Sequence, residues 1–504
     1  MINIDWEKLQ NGSDIRGVAL EGIKGEKVNL TNEVMEQLGK SFTEWLKSKG
    51  HKHITIAIGM DSRISGQQLI KAFSQGVISQ GANIIDCGLA STPAMFMTTI
   101  SDNISAQAGV MLTASHLPFN RNGAKFFTKK GGLDKVDISD ILKIAATKQF
   151  TPHAKGGSIE KFDFISEYSN ILVGFIRTRV NNNLNFEKPL SGVKIVVDAG
   201  NGAGGFFAHK VLEPLGADIT GSQFLNPDGR FLNHVPNPED KDAMSSICNA
   251  VIKQKADLGI IFDTDVDRSA IVDKNGNPIN RNALIALISS IILEEHPASY
   301  IVTDSITSEG LAKFINKNLN GKHHRFKRGY KNVINESIRL NAEGKPSWLA
   351  IETSGHAALK ENHFLDDGAY LVAKLLVKMA QLRAEKKELT NLIDDLQTPE
   401  ESEEFRLKIA HNNFAKYGQE VIDKLHKITE AVNGWQIEPN NHEGIRVKCL
   451  NDNEKGWFLL RLSLHDPVMP LNIESDIKGG VKNIASKLKG LMSEFKQLDL
   501  SVIK

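Results

Sequence analysis

Cysteine is scarce in this chain of 504 residues. Only Cys87, Cys248 and Cys449 occur, so at least one is unpaired, and their wide spacing matches neither a disulfide framework nor a zinc site. We therefore expect a reducing compartment, and the predicted location is the cytoplasm.

Long hydrophobic runs are also lacking. No stretch approaches the ~18 consecutive apolar residues that a membrane-spanning helix needs. The opening sequence MINIDWEKLQNGSD has neither the basic nor the apolar segment of a secretion signal. We therefore expect no membrane partner.

An excess of charge of one sign is missing as well. The 61 lysines and arginines almost equal the 60 aspartates and glutamates, which argues against nucleic acid as the main partner. The chain is too long for one ordinary domain, since ~100–200 residues per domain is typical.

What the chain does contain is an alternation of apolar strands with helices, typical of α/β units with largely parallel sheets. Three such units begin near Ile54, Val193 and Tyr300, and the second predicts a helix near 206–215 and a strand at DITGSQF. A charged helical segment over 371–396 is predicted to be a connector, followed by a smaller α+β domain. The predicted domain boundaries are 1–158, 159–279, 280–398 and 399–504.

The stretch MLTASHLPFNRNGAKFF contains a short strand, AGVML, that leads into a Ser-His pair and then an Asn-Gly turn. Ser115 is therefore expected on a tight, exposed loop at the end of a strand, where chemistry is often placed. Serine needs a base, a metal or a prior modification to act as a nucleophile. A surface turn with no catalytic role is the alternative.

A second motif, LGIIFDTDVDR, is an apolar strand that ends in Asp263, Asp265 and Asp267. Extended geometry would point alternate side chains to one face, where clustered carboxylates need a cation. Oxygen ligands favour Mg²⁺. An EF-hand is excluded, because Arg268 and Lys274 occupy the positions of its glycine and glutamate. A haloacid-dehalogenase-like phosphotransferase with Asp263 as nucleophile remains an alternative.

Two further motifs are polar or glycine-rich turns. In VVDAGNGAGG, Gly200, Gly202 and Gly205 fit the G-x-G-x-x-G pattern of dinucleotide-binding oxidoreductases, with Asp218 near the expected ribose position. Close packing of a helix on a strand would explain these glycines equally well. In AIETSGHAALKENHFLDDGAY, donors and acceptors gather around one turn, as recognition of sugar hydroxyls requires, although a polar turn before a helix would look similar.

In their order along the chain, these motifs resemble those of the α-D-phosphohexomutase superfamily, which includes phosphoglucomutase and phosphomannomutase. TASHLPFNRNGAK is similar to its phosphoserine loop, with Leu117 in place of asparagine. DTDVDR resembles its metal loop, with Thr264 in place of glycine, and ETSGH resembles its sugar loop. SDIRG, PDGRFLNHVPNPED and KRGYK are similar to further family segments, so the resemblance extends over essentially the whole chain.

The resemblance implies four domains around a central cleft and an isomerase that interconverts hexose 1-phosphate and hexose 6-phosphate through a hexose bisphosphate. Glucose or mannose phosphate is the expected substrate, and a monomer or homodimer the expected assembly. Ser115 would be phosphorylated in the resting enzyme and would bind Mg²⁺ together with Asp263, Asp265 and Asp267.

The resemblance also implies roles for other side chains. Lys125 and Arg16 would assist proton transfer, His356 would be a further acid or base, and His116 would shape the loop. The expected substrate-binding residues are Arg268, Glu352, Ser354, Lys331, Arg461 and Ser463.

One segment departs from the family pattern. The family's phosphate-binding R-P-S-G-T-E-P corresponds here to RLSLHDP, which keeps Arg461 and Ser463 but has Leu464 for glycine and His465 for threonine. Leucine hinders the close approach of the backbone to an anion. We therefore expect an altered phosphate site, in which His465 could supply a compensating donor.

Overall fold

The computed structural model of the protein describes residues 4–104, 106–181, 185–463 and 466–503. Contacts within the chain divide it into two units. The first contains Met1–Leu284 and Ser354–Asn391, and the second contains Ile285–Thr353 and Leu392–Lys504.

The first sheet lies in the first unit, and its central strands pair in the order β2-β6-β5-β3-β4. β3 and β5 are parallel and consist almost entirely of buried residues, as expected for strands covered by helices on both faces. Its strands are β1 (Gln10–Asn11), β2 (Asp14–Val18), β3 (Thr55–Met60), β4 (Asn83–Leu89), β5 (Ala108–Leu112), β6 (Arg121–Thr128), β7 (Gly131–Gly132) and β8 (Ile159–Lys161). Its helices are α1 (Asn32–Ser48), α2 (Gly66–Ser79), α3 (Thr92–Met97), α4 (Lys135–Thr147) and α5 (Phe164–Val180).

The second sheet, also in the first unit, has the order β12-β11-β10-β9. Its elements are β9 (Ile195–Asp198), α6 (Lys241–Gln254), β10 (Leu258–Phe262), β11 (Ser269–Asp273) and β12 (Pro278–Ile279). The helix expected near 206–215 is present as a π-helical turn at Phe207–Leu212. The strand predicted at DITGSQF is wrong, because only isolated bridges form at Asp218 and Gln223. Backbone hydrogen bonds join the two bridging residues to β9 and the residues beside it, but the pairing is not continuous, and the Asp218 side chain accepts from the Thr220 amide between the bridges.

The glycines of VVDAGNGAGG are explained by close packing. A Cβ on Gly202 would lie 2.7 Å from the Thr264 carbonyl oxygen, and one on Gly205 would lie 2.1 Å from that of Leu225. Gly200 has a φ of 52°, which favours glycine. These constraints account for the pattern without a dinucleotide.

In the second unit, three parallel strands pair in the order β14-β13-β15. They are β13 (Tyr300–Thr303), β14 (Lys322–Arg325) and β15 (Ser347–Ile351), accompanied by α8 (Glu309–Lys313), a π-helical turn at Phe314–Asn318 and α9 (Tyr330–Ala342). Before them comes α7 (Arg281–Glu295).

The chain then returns to the first unit as a hairpin of β16 (Ala357–Leu359) and β17 (Leu365–Asp366), followed by α10 (Gly368–Ala384). Most residues of α10 are buried, so the segment predicted as a charged connector begins as a core helix. The short 3₁₀ turns of the chain are Glu7–Leu9, Lys360–Asn362 and Leu389–Ile393.

The C-terminal region of the second unit is a five-stranded antiparallel sheet in the order β18-β22-β21-β20-β19. Its strands are β18 (Glu401–Lys408), β19 (Trp435–Ile437), β20 (Ile445–Cys449), β21 (Gly456–Leu460) and β22 (Val468–Ser475), and its helices are α11 (Phe414–Thr429) and α12 (Gly480–Leu491). Both helices contribute to its hydrophobic core.

The predicted fold class is therefore confirmed: three α/β regions with mixed or parallel sheets precede a smaller α+β region. The boundaries of the four domains and the cleft between them stay predictions. Among the described residues, no helix is long and apolar enough to cross a membrane.

Two glycines allow α1 and α2 to pack backbone to backbone. A Cβ on Gly39 would lie 2.2 Å from the Phe73 carbonyl oxygen, and one on Gly76 would lie 2.0 Å from that of Glu36. Because backbone atoms cannot move aside as a flexible side chain can, any larger residue at Gly76 must separate the helices.

We expect Gly76→Ala to reduce the free energy of unfolding by about 1–3 kcal/mol through overpacking. Gly174→Ala is the matched control, because Gly174 lies in α5 and a Cβ there meets no other described part of the chain within 4 Å. It should leave stability unchanged or raise it by up to about 1 kcal/mol, since alanine is the better helix former. Thermal unfolding of both variants checks this, and equal midpoints would contradict the packing argument.

Candidate active site

Ser115 lies just beyond the end of β5, on the predicted loop, but the prediction that it is exposed is wrong. Its relative exposure is 8%. Arg268 Nη2 donates to Ser115 Oγ at 2.7 Å, and Ser115 Oγ lies 3.0 Å from Asp263 Oδ2. The loop is covered because the turn after β10 packs against it.

Asp263, Asp265 and Asp267 form a cluster in which ligand oxygens all lie within 4.8 Å of one another. All three residues are almost completely buried. The cluster was predicted correctly, but the extended geometry was not. The segment is a turn, and Val266 has a φ of 67°, which is rare for a β-branched residue. The turn, and not strand alternation, brings the carboxylates together.

Two cationic side chains face the carboxylates. Lys125, on β6, donates to Asp265 Oδ2 at 3.0 Å and also bonds Asp267. Arg268 Nε donates to Asp263 Oδ2 at 3.1 Å. Burial raises the pKa of Asp263, and the negative charges of Asp267 and Asp265 raise it further. Burial acts to raise the pKa of Asp267 also, but Lys125 and other cations outweigh it and lower that pKa.

The donor set fits a hard divalent cation. Asp265 Oδ1 and Asp267 Oδ1 are buried and have no hydrogen-bond partner in the described part of the chain. Carboxylate oxygens of this kind are the ligands that Mg²⁺ prefers. Orphaned buried acceptors are unusual and call for an ion or a water.

His356 lies beside the carboxylate cluster, following the turn at Gly355. Its Nδ1 is 2.5 Å from Asp366 Oδ2 and 3.8 Å from Asp267 Oδ1. Burial acts to lower the pKa of His356, but Asp366 and Asp267 raise it to about 9. The imidazole is therefore protonated at neutral pH and can donate a proton but not accept one.

Arg16, on β2, lies next to the serine loop. Its Nη1 donates to the Thr113 carbonyl at 2.8 Å, and its Nη2 pairs with Asp14 at 2.9 Å. His116 Nδ1 lies 2.5 Å from Arg268 Nη2. Because arginine can only donate, this nitrogen of His116 must accept.

Ser354 belongs to the first unit and is 7% exposed, and its Oγ has no hydrogen-bond partner among the residues described. Glu352 and Lys331 belong to the second unit. Glu352 Oε1 accepts from the Gly329 amide at 2.7 Å, which fixes the start of α9 next to Lys331.

Arg461 and Ser463 follow β21 in the second unit. Burial lowers the pKa of Arg461, and the nearby charge of Arg328 lowers it further. Arg461 Nε is buried without a hydrogen-bond partner within the described ranges. Ser463 Oγ accepts from the Asp466 amide at 3.3 Å. Leu464 and His465, which carry the departure from the family pattern, lie outside the described residues.

Three residues of the site were missed by the sequence reasoning. Thr92 Oγ1 donates to Asp265 Oδ2 at 2.5 Å, Asn237 Oδ1 accepts from Arg268 at 3.3 Å, and Asp366 pairs with His356. Asn237 belongs to PDGRFLNHVPNPED, so the motif pointed to the segment without identifying the residue. The pairing of Thr92 with Asp265 has no local signal, because 173 positions separate them.

Three family models match the chain in sequence order. They are described as phosphoglucomutase/phosphomannomutase, alpha/beta/alpha domain I over residues 7–152, domain II over 174–276 and domain III over 280–399. They leave the C-terminal antiparallel sheet unmatched.

Curated relatives match almost the full length. A phosphoglucomutase of Neisseria meningitidis serogroup B is 30% identical over 94% of this chain and 95% of its own length. A phosphomannomutase/phosphoglucomutase of Pseudomonas aeruginosa is 27% identical over 97% of both chains. Among solved structures, a phosphoglucomutase/phosphomannomutase family protein from Burkholderia thailandensis superposes with a TM-score of 0.80, with 24% identity over 98% of both chains. The chain therefore belongs to the phosphoglucomutase/phosphomannomutase family.

Proposed function

We propose that this protein interconverts hexose 1-phosphate and hexose 6-phosphate through a phosphorylated Ser115 and a hexose bisphosphate. The observation that carries the proposal is the position of Ser115 Oγ, 2.7 Å from Arg268 Nη2 and 3.0 Å from Asp263 Oδ2 beside three buried carboxylates. Family membership narrows the chemistry to phosphosugars. Family membership also argues against the two alternative functions, a haloacid-dehalogenase-like phosphotransferase and a dinucleotide-binding oxidoreductase.

The reaction consists of two phosphoryl transfers, each of a different phosphoryl group. In the first, a sugar hydroxyl attacks the phosphoserine, the Ser115 Oγ–P bond breaks, and a P–O bond to the sugar forms. The hydroxyl proton leaves the sugar, and the serine oxygen ends protonated. In the second, Ser115 Oγ attacks the other phosphoryl group of the bisphosphate, the P–O bond of that group to the sugar breaks, the serine proton leaves and the freed sugar oxygen is protonated, which regenerates the phosphoenzyme.

Asp263, Asp265 and Asp267 are the proposed ligands of Mg²⁺, together with the phosphate on Ser115. When bound, the ion would neutralise negative charge on the group being transferred. Arg268 is proposed to bind phosphate oxygens on Ser115, because Nη2 already reaches the serine oxygen and Nε holds Asp263.

Proton transfer is assigned to side chains near the carboxylates. Lys125 contacts two of them, and Arg16 holds the backbone of the serine loop through the Thr113 carbonyl. Protonated His356 is proposed to supply a proton to the oxygen that leaves. Its pair with Asp366 keeps the imidazole oriented.

Substrate binding is assigned to Glu352, Ser354 and Lys331 for the sugar and to Arg461 and Ser463 for the phosphate that is not transferring. Related enzymes are named for glucose and for mannose, and we propose both phosphates as substrates. We place the reaction in the cytoplasm, consistent with the few and unpaired cysteines.

Ser115→Ala should abolish phosphosugar interconversion and phosphoenzyme formation, because no acceptor oxygen remains. The fold should persist, since alanine keeps the backbone amide and carbonyl through which the loop is held. Intact mass of the freshly purified protein and its variant, with coupled mutase assays, measures both effects.

Ser158→Ala is the control, because Ser158 is exposed and its Oγ bonds only Asn83 among the contacts described. Full mutase activity in Ser115→Ala would overturn the phosphoserine mechanism. Activity lost only in Asp263→Asn would favour a phosphoaspartate instead.

Removal of divalent metal by a chelator should eliminate activity, and Mg²⁺ should restore it. Asp265→Asn should weaken Mg²⁺ affinity by about tenfold or more, because affinity follows the charge of the ligands. Isothermal titration of Mg²⁺ into the unliganded protein measures this without reference to turnover.

The control for the metal site is Asp198→Asn. Asp198 is equally buried, but it pairs with His234 and Gln223 and not with the cluster. The Mg²⁺ affinity of the Asp198→Asn variant should match that of the unmodified protein. A chelator-resistant mutase would exclude the metal assignment.

Arg461→Ala should raise the KM for hexose phosphate by about 10- to 100-fold, since it removes a charge-assisted contact with phosphate. Phosphorylation of Ser115 by a hexose bisphosphate should change much less. Arg406→Ala is the control, because Arg406 is exposed on β18 and pairs only locally with Glu404. Kinetic constants unchanged in Arg461→Ala would show that the C-terminal sheet does not bind this phosphate.

A further inference from the structure

The serine that carries the proposed chemistry has a strained backbone. Ser115 has a φ of 51°, in the left-handed region that residues other than glycine seldom adopt. Such conformations persist only where surrounding contacts determine them. The structure must therefore contain groups that hold Ser115 in place.

Arg63 binds the Ser115 carbonyl together with three further carbonyls that follow it in the chain. It follows the end of β3 and is 2% exposed. Its Nη2 donates to the carbonyls of Ser115 at 2.5 Å and Leu117 at 2.6 Å. Its Nη1 donates to those of Pro118 at 2.7 Å and Arg121 at 2.9 Å. One planar guanidinium thus binds four carbonyls along the loop.

The partner of Arg63 holds the other side of Ser115. Asp61 Oδ2 lies 3.2 Å from Arg63 Nε and accepts from Thr113 Oγ1 at 2.7 Å. Thr113 Oγ1 in turn accepts from the Ser115 amide at 2.8 Å. The amide and the carbonyl of Ser115 are therefore both tied to one buried Asp-Arg pair.

The backbone of Asp61 anchors this pair to the sheet. The Asp61 amide donates to the Leu112 carbonyl at 3.0 Å, which extends the parallel pairing of β3 with β5. The sheet thus fixes the pair, and the pair fixes the loop.

In the described part of the chain, Arg63 donates no hydrogen bond to Ser115 Oγ or to the three carboxylates. We propose that Arg63 is a positioning residue, which holds Ser115 in the left-handed conformation that directs its Oγ to Asp263 and Arg268. This inference rests on the proposed function, since it concerns the step in which Ser115 accepts or donates a phosphoryl group.

Arginine is required at this position for geometric reasons. Lysine carries the same charge but is a single point donor and cannot bind four carbonyls in a plane. Arg63→Lys therefore keeps a cation opposite Asp61 while releasing most of the loop.

The experiment compares single-turnover phosphorylation of Ser115 by a hexose 1,6-bisphosphate in the dephosphorylated protein and in Arg63→Lys. We expect the rate at saturating donor to fall about 10- to 100-fold, as release of a strained conformation predicts. The KM for hexose phosphate should change little, whereas the unfolding midpoint should fall, because lysine leaves carbonyls of the loop without their donor. Arg121→Lys is the control, because the Arg121 side chain pairs with Glu26 and not with the serine loop.

Asp61→Asn is the second variant, and it tests the inference even if Arg63→Lys does not fold. It leaves the guanidinium in place but removes the charge that orients it, so the same step should slow while KM is retained. A wild-type phosphorylation rate in either folded variant would overturn the positioning role. If the unmodified protein carried no phosphate on Ser115 after incubation with the bisphosphate, the proposed function would be contradicted instead. The two failures can therefore be told apart.

Discussion

Buried negative charge is the constraint on which the candidate site depends. Four carboxylates are almost completely buried together in the first unit: Asp263, Asp265, Asp267 and Asp366. Burying ionised groups is unfavourable unless they are paired with good geometry. Lys125, Arg268 and protonated His356 provide three positive charges against them. One negative charge remains in excess, and the pKa of Asp263 is raised by burial and further by the negative charges of Asp267 and Asp265. A divalent cation among the carboxylates would offset their mutual repulsion, which is the physical reason that the cluster fits Mg²⁺.

The same constraint explains the local backbone. To bring carboxylates from one segment together, the chain turns sharply, with Val266 in the left-handed region. Neighbouring segments must then approach the turn closely. A Cβ on Gly355 would lie 2.6 Å from the Ser269 carbonyl oxygen, and one on Gly368 would lie 2.7 Å from the carbonyl carbon of Arg268. Gly202 packs against the turn from another side. Glycine occurs at these positions because the backbone of each neighbouring segment packs directly against the backbone of the carboxylate turn.

How much of the fold and of the candidate site could be predicted from the sequence depends on how far apart in the chain the contacting residues lie. The strand before Ser115 and the clustering of three carboxylates follow from local patterns, and both were predicted. The burial of Ser115 was not, because it results from a segment 148 residues away, in which Asp263 meets the serine. Arg63 lies 52 residues before Ser115 in GMDSR, which has no distinguishing pattern of its own. A strand at DITGSQF was predicted from the repeated strand-helix-strand order, but its pairing with β9 is interrupted, and Ser222 Oγ accepts from the Val197 amide between the two bridges.

The second unit presents the opposite electrostatic problem from the first. Arg461 is half-buried there, its Nε lacks a hydrogen-bond partner in the part of the chain described, and both burial and the charge of Arg328 lower its pKa. Cations that repel one another in a buried setting are stabilised by an anion, as the carboxylates of the first unit are stabilised by a cation. Glu443, Glu404 and Asp304 act against this repulsion and act to raise the pKa of Arg461, so each unit places charges of the opposite sign beside its own charged cluster.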